Sequence, residues 1–110
     1  MDEDDLRKLE AVGSRLVFGT GQMLIERGKP GTGLYVVVEG HIVVEAPEGT
    51  RELGPGNVVG ERALFSEDGL RTARVRALTH GVVVAVDRAE VDRLCAEDSA
   101  FAARLSQASA

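Results

Sequence analysis

The spacing of apolar and polar positions changes twice along the chain. Residues 4 to 12, DDLRKLEAV, put Leu6, Leu9 and Val12 or Leu16 at helical spacing behind aspartates that can cap, which predicts a short leading helix. From residue 15 the period shortens. The segments RLVF, QMLIE, LYVVVEG, HIVVEA, TREL, NVVG, TARVRAL and GVVVAVD are short and β-branched, with turn signals between them: GTG at 19–21, GKPGTG at 28–33, PEG at 47–49 and GPG at 54–56. Eight such strands predict a sandwich, barrel or jelly roll. Helical spacing returns in RAEVDRLCA, residues 88–96, where Val91, Leu94 and Cys95 share a face behind Asp87 as a cap, and a second helical piece, SAFAARLSQ, follows.

A length of 110 residues predicts one domain, 1–110, and hence one function. Hydrophobic content is 44%, yet no apolar run approaches the roughly 18 residues of a membrane span, so no membrane insertion is expected. The opening MDEDDLRKLE lacks the basic and apolar regions of an export signal, which predicts a cytoplasmic location. Cys95 is the single cysteine, which excludes an internal disulfide and a thiolate zinc site. His41 and His80 have no neighbouring His or Cys and read as turn or surface residues, so no metal site is expected. A net charge of −5 disfavours direct nucleic acid binding, so any anion must be held by local groups. The acidic run Asp2 to Asp5 reads as a solvated end that favours a helix start. Arg74 and Arg76 alternate with apolar neighbours and read as outward-facing.

Chemistry concentrates in VVGERALFSEDGLRTARV, residues 58–75. Gly60 allows a sharp turn, and ERALF has the composition of about one helical turn, whose first N–H groups lack internal partners. Arg71 offers a planar guanidinium for bidentate contact with phosphate oxygens, with the Thr72 hydroxyl beside it. The Glu61 carboxylate would repel a multiply charged phosphate but can accept from a sugar hydroxyl. Together these groups select a singly charged phosphodiester on a ribose. Without further context, Glu61 and Arg71 read as ordinary surface charges, an exposed pair worth at most about 1 kcal/mol.

The run LGPGNVVGERALFSEDGLRTARVRAL resembles the phosphate-binding cassette of cyclic nucleotide-binding domains, found in catabolite-activator-type regulators, cyclic-nucleotide-dependent kinases and gated channels. GQMLIERGKPGTGLYVVVEGHIVV is similar to the same family's strand, glycine-rich hairpin, Tyr and Gly pattern, so the resemblance covers roughly residues 15–95. It implies a mainly β fold: an eight-stranded antiparallel β-roll, jelly-roll-like, at about 15–87, with a short N-terminal helix and one or two C-terminal helices at about 88–107. It implies that Glu61 accepts from the ribose 2′-hydroxyl, Gly60 allows close approach and Arg71 clamps the phosphate. Thr72 and Ala73 would lie beside the cyclic phosphate. Backbone groups of Arg62 and Ala63 complete the phosphate nest, and Val59, Ala63 and Leu64 wall the ribose and base.

The implied function is a cyclic nucleotide sensor, with cAMP expected ahead of cGMP, in which binding moves the C-terminal helix. Implied partners are the nucleotide, an effector domain or protein, and a second copy through the C-terminal helix. No catalytic residue and no cofactor beyond the ligand are expected. Two departures stand out. Arg62 occupies a position that is typically apolar in the family, and its guanidinium is expected to point to solvent. The family's long final helix is short here. The alternative is the same fold with a disabled pocket, serving as an interaction or scaffold domain. An enzyme would need clustered histidines or a metal-held water, which the sequence does not support.

Overall fold

The computed structural model describes residues 1–108. The elements in order are α1 (Glu3–Val12), β1 (Ser14–Phe18), β2 (Met23–Ile25), β3 (Gly33–Glu39), β4 (Ile42–Ala46), β5 (Gly49–Leu53), β6 (Val58–Val59), α2 (Arg62–Phe65), β7 (Arg74–Ala77), β8 (Gly81–Asp87), α3 (Arg88–Glu97) and α4 (Ser99–Gln107). All eight expected strand segments are present, although β7 begins at Arg74 and leaves Arg71 and Thr72 in the loop before it. The strands form two four-stranded antiparallel sheets, ordered β1-β8-β3-β6 and β2-β7-β4-β5. The fold is a mainly β, jelly-roll-like β-roll with helices before and after it.

The valine runs show how the layers stack. Val37, Val59 and Val83 of the first sheet meet Ile42, Val44 and Val75 of the second in one core cluster. Their neighbours Val36, Val58, Val84 and Val86 point the other way and pack with Leu9 of α1, Leu64 of α2, Val91 and Leu94 of α3, and Phe101 and Leu105 of α4. The central strands β3 and β8 of the first sheet are thus buried on both faces, which explains why LYVVV and GVVVAV are nearly continuous apolar runs. The second sheet has one wet face. There Glu45 accepts from Arg74 at 3.0 Å and from Arg76 at 2.9 Å, so the two outward arginines are paired rather than simply solvated.

The helices form a layer held by charge as well as by apolar contact. Asp2 caps α1 in a reciprocal box with Asp5, whose N–H donates to Asp2 Oδ1 at 2.9 Å. Asp5 itself is buried, which the reading of this acidic run as a solvated end did not anticipate. Arg104 of α4 closes a fork on it, Nε to Oδ2 at 2.7 Å and Nη2 to Oδ1 at 2.8 Å. Lys8 adds a bond to Asp98 Oδ2 at 3.3 Å, at the cap of α4. The first and last helices are therefore latched side by side.

The Arg104 fork holds the Asp5 carboxyl below its ordinary value against the opposing effect of burial, helped by the Asp2 N–H and the nearby positive charges of Arg104 and Lys8. A carboxylate whose folded pKa is depressed adds stability above its unfolded value of about 3.9, and loses it as pH falls through the folded value. Asp5→Asn should lower the melting temperature by several degrees at about pH 7, and the gap from the parent should narrow as pH falls below the unfolded value of about 3.9. Thermal melts followed by circular dichroism across that range check this. A gap independent of pH would mean that the Asp5 charge does not hold α4.

Candidate functional site

The site begins where β6 stops. Gly60 has φ of +89°, in the left-handed region that glycine enters without strain. A Cβ there would lie 2.5 Å from Arg71 Nη1 and 3.2 Å from Ile25 Cδ1, so only a bare α-carbon lets the arginine approach. Glu61 then turns the chain into helical geometry, and the Leu64 N–H donates to the Glu61 carbonyl at 3.0 Å. The loop after α2 is fixed by its own polar groups. Ser66 Oγ donates to Ala63 O at 3.3 Å, and the Leu70 N–H donates to Asp68 Oδ1 at 3.0 Å.

The backbone around Arg71 is held by the glycine-rich segment at 28–33. The Arg71 N–H donates to Lys29 O at 2.8 Å, the Gly28 N–H to Arg71 O at 2.9 Å, and the Gly31 N–H to Gly69 O at 2.8 Å. Gly31 leaves no room for a side chain, because a Cβ would run into the Ala63 methyl and lie 3.2 Å from Arg71 Nε. GKPGTG therefore does more than turn the chain.

Arg71 Nη1 donates to Gly33 O and to Gly60 O, each at 2.8 Å. These two bonds use both Nη1 hydrogens and lock the guanidinium plane. The remaining edge, Nε–H and Nη2–H, has no hydrogen-bond acceptor among the described residues, and that edge is the fork that fits two oxygens of one phosphate. Burial pushes the Arg71 guanidinium below its ordinary value, with the charges of Tyr35 and Glu61 acting the other way. It remains a cation at any physiological pH.

The hollow in front of Arg71 is lined by Val59, Gly60, Arg62, Ala63, Arg71, Thr72 and Ala73, which brings together seven of the nine residues singled out in the sequence. Ile25, Val44 and Val75 complete its wall, and nothing in the local sequence around the cassette marks them. Their signal lies in the strand alternation, since Val44 pairs with Val75 across β4 and β7 on the inner face. This hollow is small, about 20 Å³, room for little more than a water molecule. A second, larger hollow of about 380 Å³ continues past Val44, Arg62 and Ala73 to the β4–β5 hairpin at Glu48, Thr50 and Arg51. Together they make one groove.

Glu61 and Leu64 do not line it. Glu61 is buried at 1% exposure beside Gly60, and its Oε2 atom accepts no hydrogen bond from the described residues. Leu64 faces away from the groove into the helix-side core. Arg62 lies on the outside, where Nη1 reaches Glu48 Oε1 at 3.4 Å across the mouth of the groove. Among the described residues no cluster of three or more His, Cys, Asp or Glu could hold a metal ion. No described helix is long and apolar enough to cross a membrane.

A family model, the cyclic nucleotide-binding domain, matches residues 15–98. The chain belongs to that family. It is 34% identical over 87 residues to the cAMP-dependent protein kinase regulatory subunit of Dictyostelium discoideum, across 71% of this chain and 26% of the relative. The chain thus spans about a quarter of that relative's length. A structure described as "A cyclic-GMP-dependent signalling pathway regulates bacterial phytopathogenesis" superposes with a TM-score of 0.85 at 28% identity, covering 97% of this chain and 89% of that one. The Thermus thermophilus catabolite activator protein matches with a TM-score of 0.79 at 23% identity, over 97% of this chain and 53% of its own, which is a likeness of fold. In this cyclic nucleotide-binding domain, two sheets and a glycine-rich hairpin hold one arginine at the mouth of a groove whose wall is otherwise mostly apolar.

Proposed function

We propose that this domain is a regulatory sensor that binds a cyclic purine nucleotide, cAMP or cGMP, in the groove between α2 and β7 and transmits binding to α3 and α4. The observation that carries this reading is Arg71: two carbonyls fix its plane, and it lines one hollow with Gly60, Ala63 and Thr72. The phosphodiester sits against the remaining edge of Arg71 and the amides of Arg62 and Ala63. The ribose lies over Val59 and Ala63 with its 2′-hydroxyl toward Glu61, whose buried carboxylate turns into the groove to accept it; Thr72 and Ala73 flank the phosphate, and the base extends into the outer hollow. The domain acts as a sensor rather than a catalyst, and its output passes to an effector domain or protein.

Transmission has a physical route. Leu64 packs with Val91, Leu94, Phe101 and Leu105, and Arg88 Nη2 donates to the Leu64 carbonyl at 3.1 Å. A ligand that shifts α2 therefore favours one placement of α3 and α4 over another, which is what coupling to a partner requires.

The test is thermal. At a thousandfold excess over Kd, either cAMP or cGMP should stabilise the fold by about 4 kcal/mol, raising the melting temperature by about 10 °C or more. The 2′-deoxy form of the same nucleotide should give a smaller rise, because Glu61 loses the hydroxyl it accepts from. No rise with either nucleotide at millimolar concentration would favour the scaffold reading instead.

A further inference from the structure

One sheet ends in the strands β1 and β6, the other in β2 and β5. β6 is two residues long, β2 is three with a register shift between Met23 and Ile25, and β5 carries Arg51 and Glu52, all features that keep an edge from pairing. β1 has none of them. Its five residues pair with β8 in unbroken register, no described strand lies on its other side, and Val17 and Leu16 are 80% and 48% exposed on its two faces. An apolar edge of that length is a template for another strand.

The face toward the helices shows what fits there. Phe18 and Val83 belong to the inter-sheet core, so Val17 and Val82, directly opposite each other, point to the helix side. Val38 of β3 stands in the register shift beside Val82 and packs on that same side. Val17, Val82 and Val38 thus form a row across β1, β8 and β3 that the helices leave partly uncovered.

We infer that a second copy of this chain pairs with β1, edge to edge and antiparallel, about a two-fold axis at Val17. An axis normal to the sheet opposes only residues of one face. Centred on Val17, it sets Val17 against its own copy, Leu16 against Phe18 and Arg15 against Gly19, and the valine row runs on into the row of the other copy. Centred on Leu16 it would set Val17 against a guanidinium, and centred on Arg15 it would oppose two. Charge points to a copy of the chain itself. At a net charge of −5 two copies repel over most of their surface, but residues 13–25 hold Arg15 as their single charge, and in this register it meets no like charge. The pairing joins two four-stranded sheets into one and leaves α3 and α4 out of the contact, unlike the copy expected through the C-terminal helix.

Sedimentation equilibrium of the full chain without nucleotide tests this independently of the ligand reading. At about 100 μM, suited to the weak affinity of a small interface, the parent should show dimer in exchange with monomer. Val17→Lys sets two like charges on the axis and should weaken pairing at least about 10-fold, with circular dichroism showing the variant folded. In a Cys95→Ser background, Val17→Cys should cross-link under mild oxidation, because opposed strand positions bring Cβ atoms near disulfide range, whereas Thr50→Cys on the β5 edge should not. A parent that stays monomeric at that concentration, a dimer indifferent to Val17→Lys, or equal cross-linking at both positions would overturn the inference.

Discussion

Replacing Arg71 with alanine should weaken cyclic nucleotide binding by about 10- to 150-fold, the equivalent of one charge-assisted hydrogen-bonded contact worth about 1.5–3 kcal/mol. The same guanidinium also satisfies Gly33 O and Gly60 O, so the variant orphans two carbonyls and the unliganded fold loses stability as well. The two effects separate if affinity is titrated at a temperature where circular dichroism shows the variant folded. Arg71→Lys is the informative companion. An ammonium has three donors, too few for two carbonyls and a two-pronged contact with phosphate, so lysine should recover charge attraction but only part of the affinity. An Arg71→Ala chain that binds as tightly as the parent would mean that the phosphate lies elsewhere.

The strands and the cassette could be read from the sequence because their signals are local. Period-2 alternation broken by GTG, PEG and GPG marks strand ends, and GERALF carries its own short helix, observed at Arg62–Phe65. The tilt of Leu64 could not be read that way, since only the packing of α3 and α4 decides whether it faces ligand or helix. The groove walls formed by Ile25, Val44 and Val75 were hidden for a related reason: register across strands brings them together, and each alone looks like any other inward residue. The buried Asp5–Arg104 fork joins positions 99 residues apart. No window on either helix distinguishes that aspartate from its solvated neighbours. Arg62, expected to point to solvent, is exposed, and its salt bridge to Glu48 depends on where the β4–β5 hairpin folds back.

The largest loss of stability should follow Phe101→Ala, at about 3–5 kcal/mol, a sizeable share of the roughly 5–15 kcal/mol typical of a domain. Phe101 is fully buried at the junction of Leu9, Leu64, Val91, Leu94 and Leu105, and Lys8 Nζ lies 5.7 Å from its ring centroid. Its helix starts with the Asp98 carboxylate accepting from the Ala100 and Phe101 N–H groups at 3.0 and 3.1 Å, so the local cap survives while the anchor goes. The loss should not spread evenly. The inter-sheet cluster around Phe18, Val37, Ile42 and Val83 contains no residue from any helix, so it keeps its contacts when the helix layer loosens. Hydrogen exchange should therefore show α3 and α4 amides losing protection well before those of β4 and β7, with Phe101→Leu restoring most of it. Uniform loss across helices and strands, or destabilisation below about 1 kcal/mol in urea, would contradict this division. The division is also the physical condition for sensing, since a ligand can shift the helices at modest cost only if the strands that wall its groove keep a core of their own.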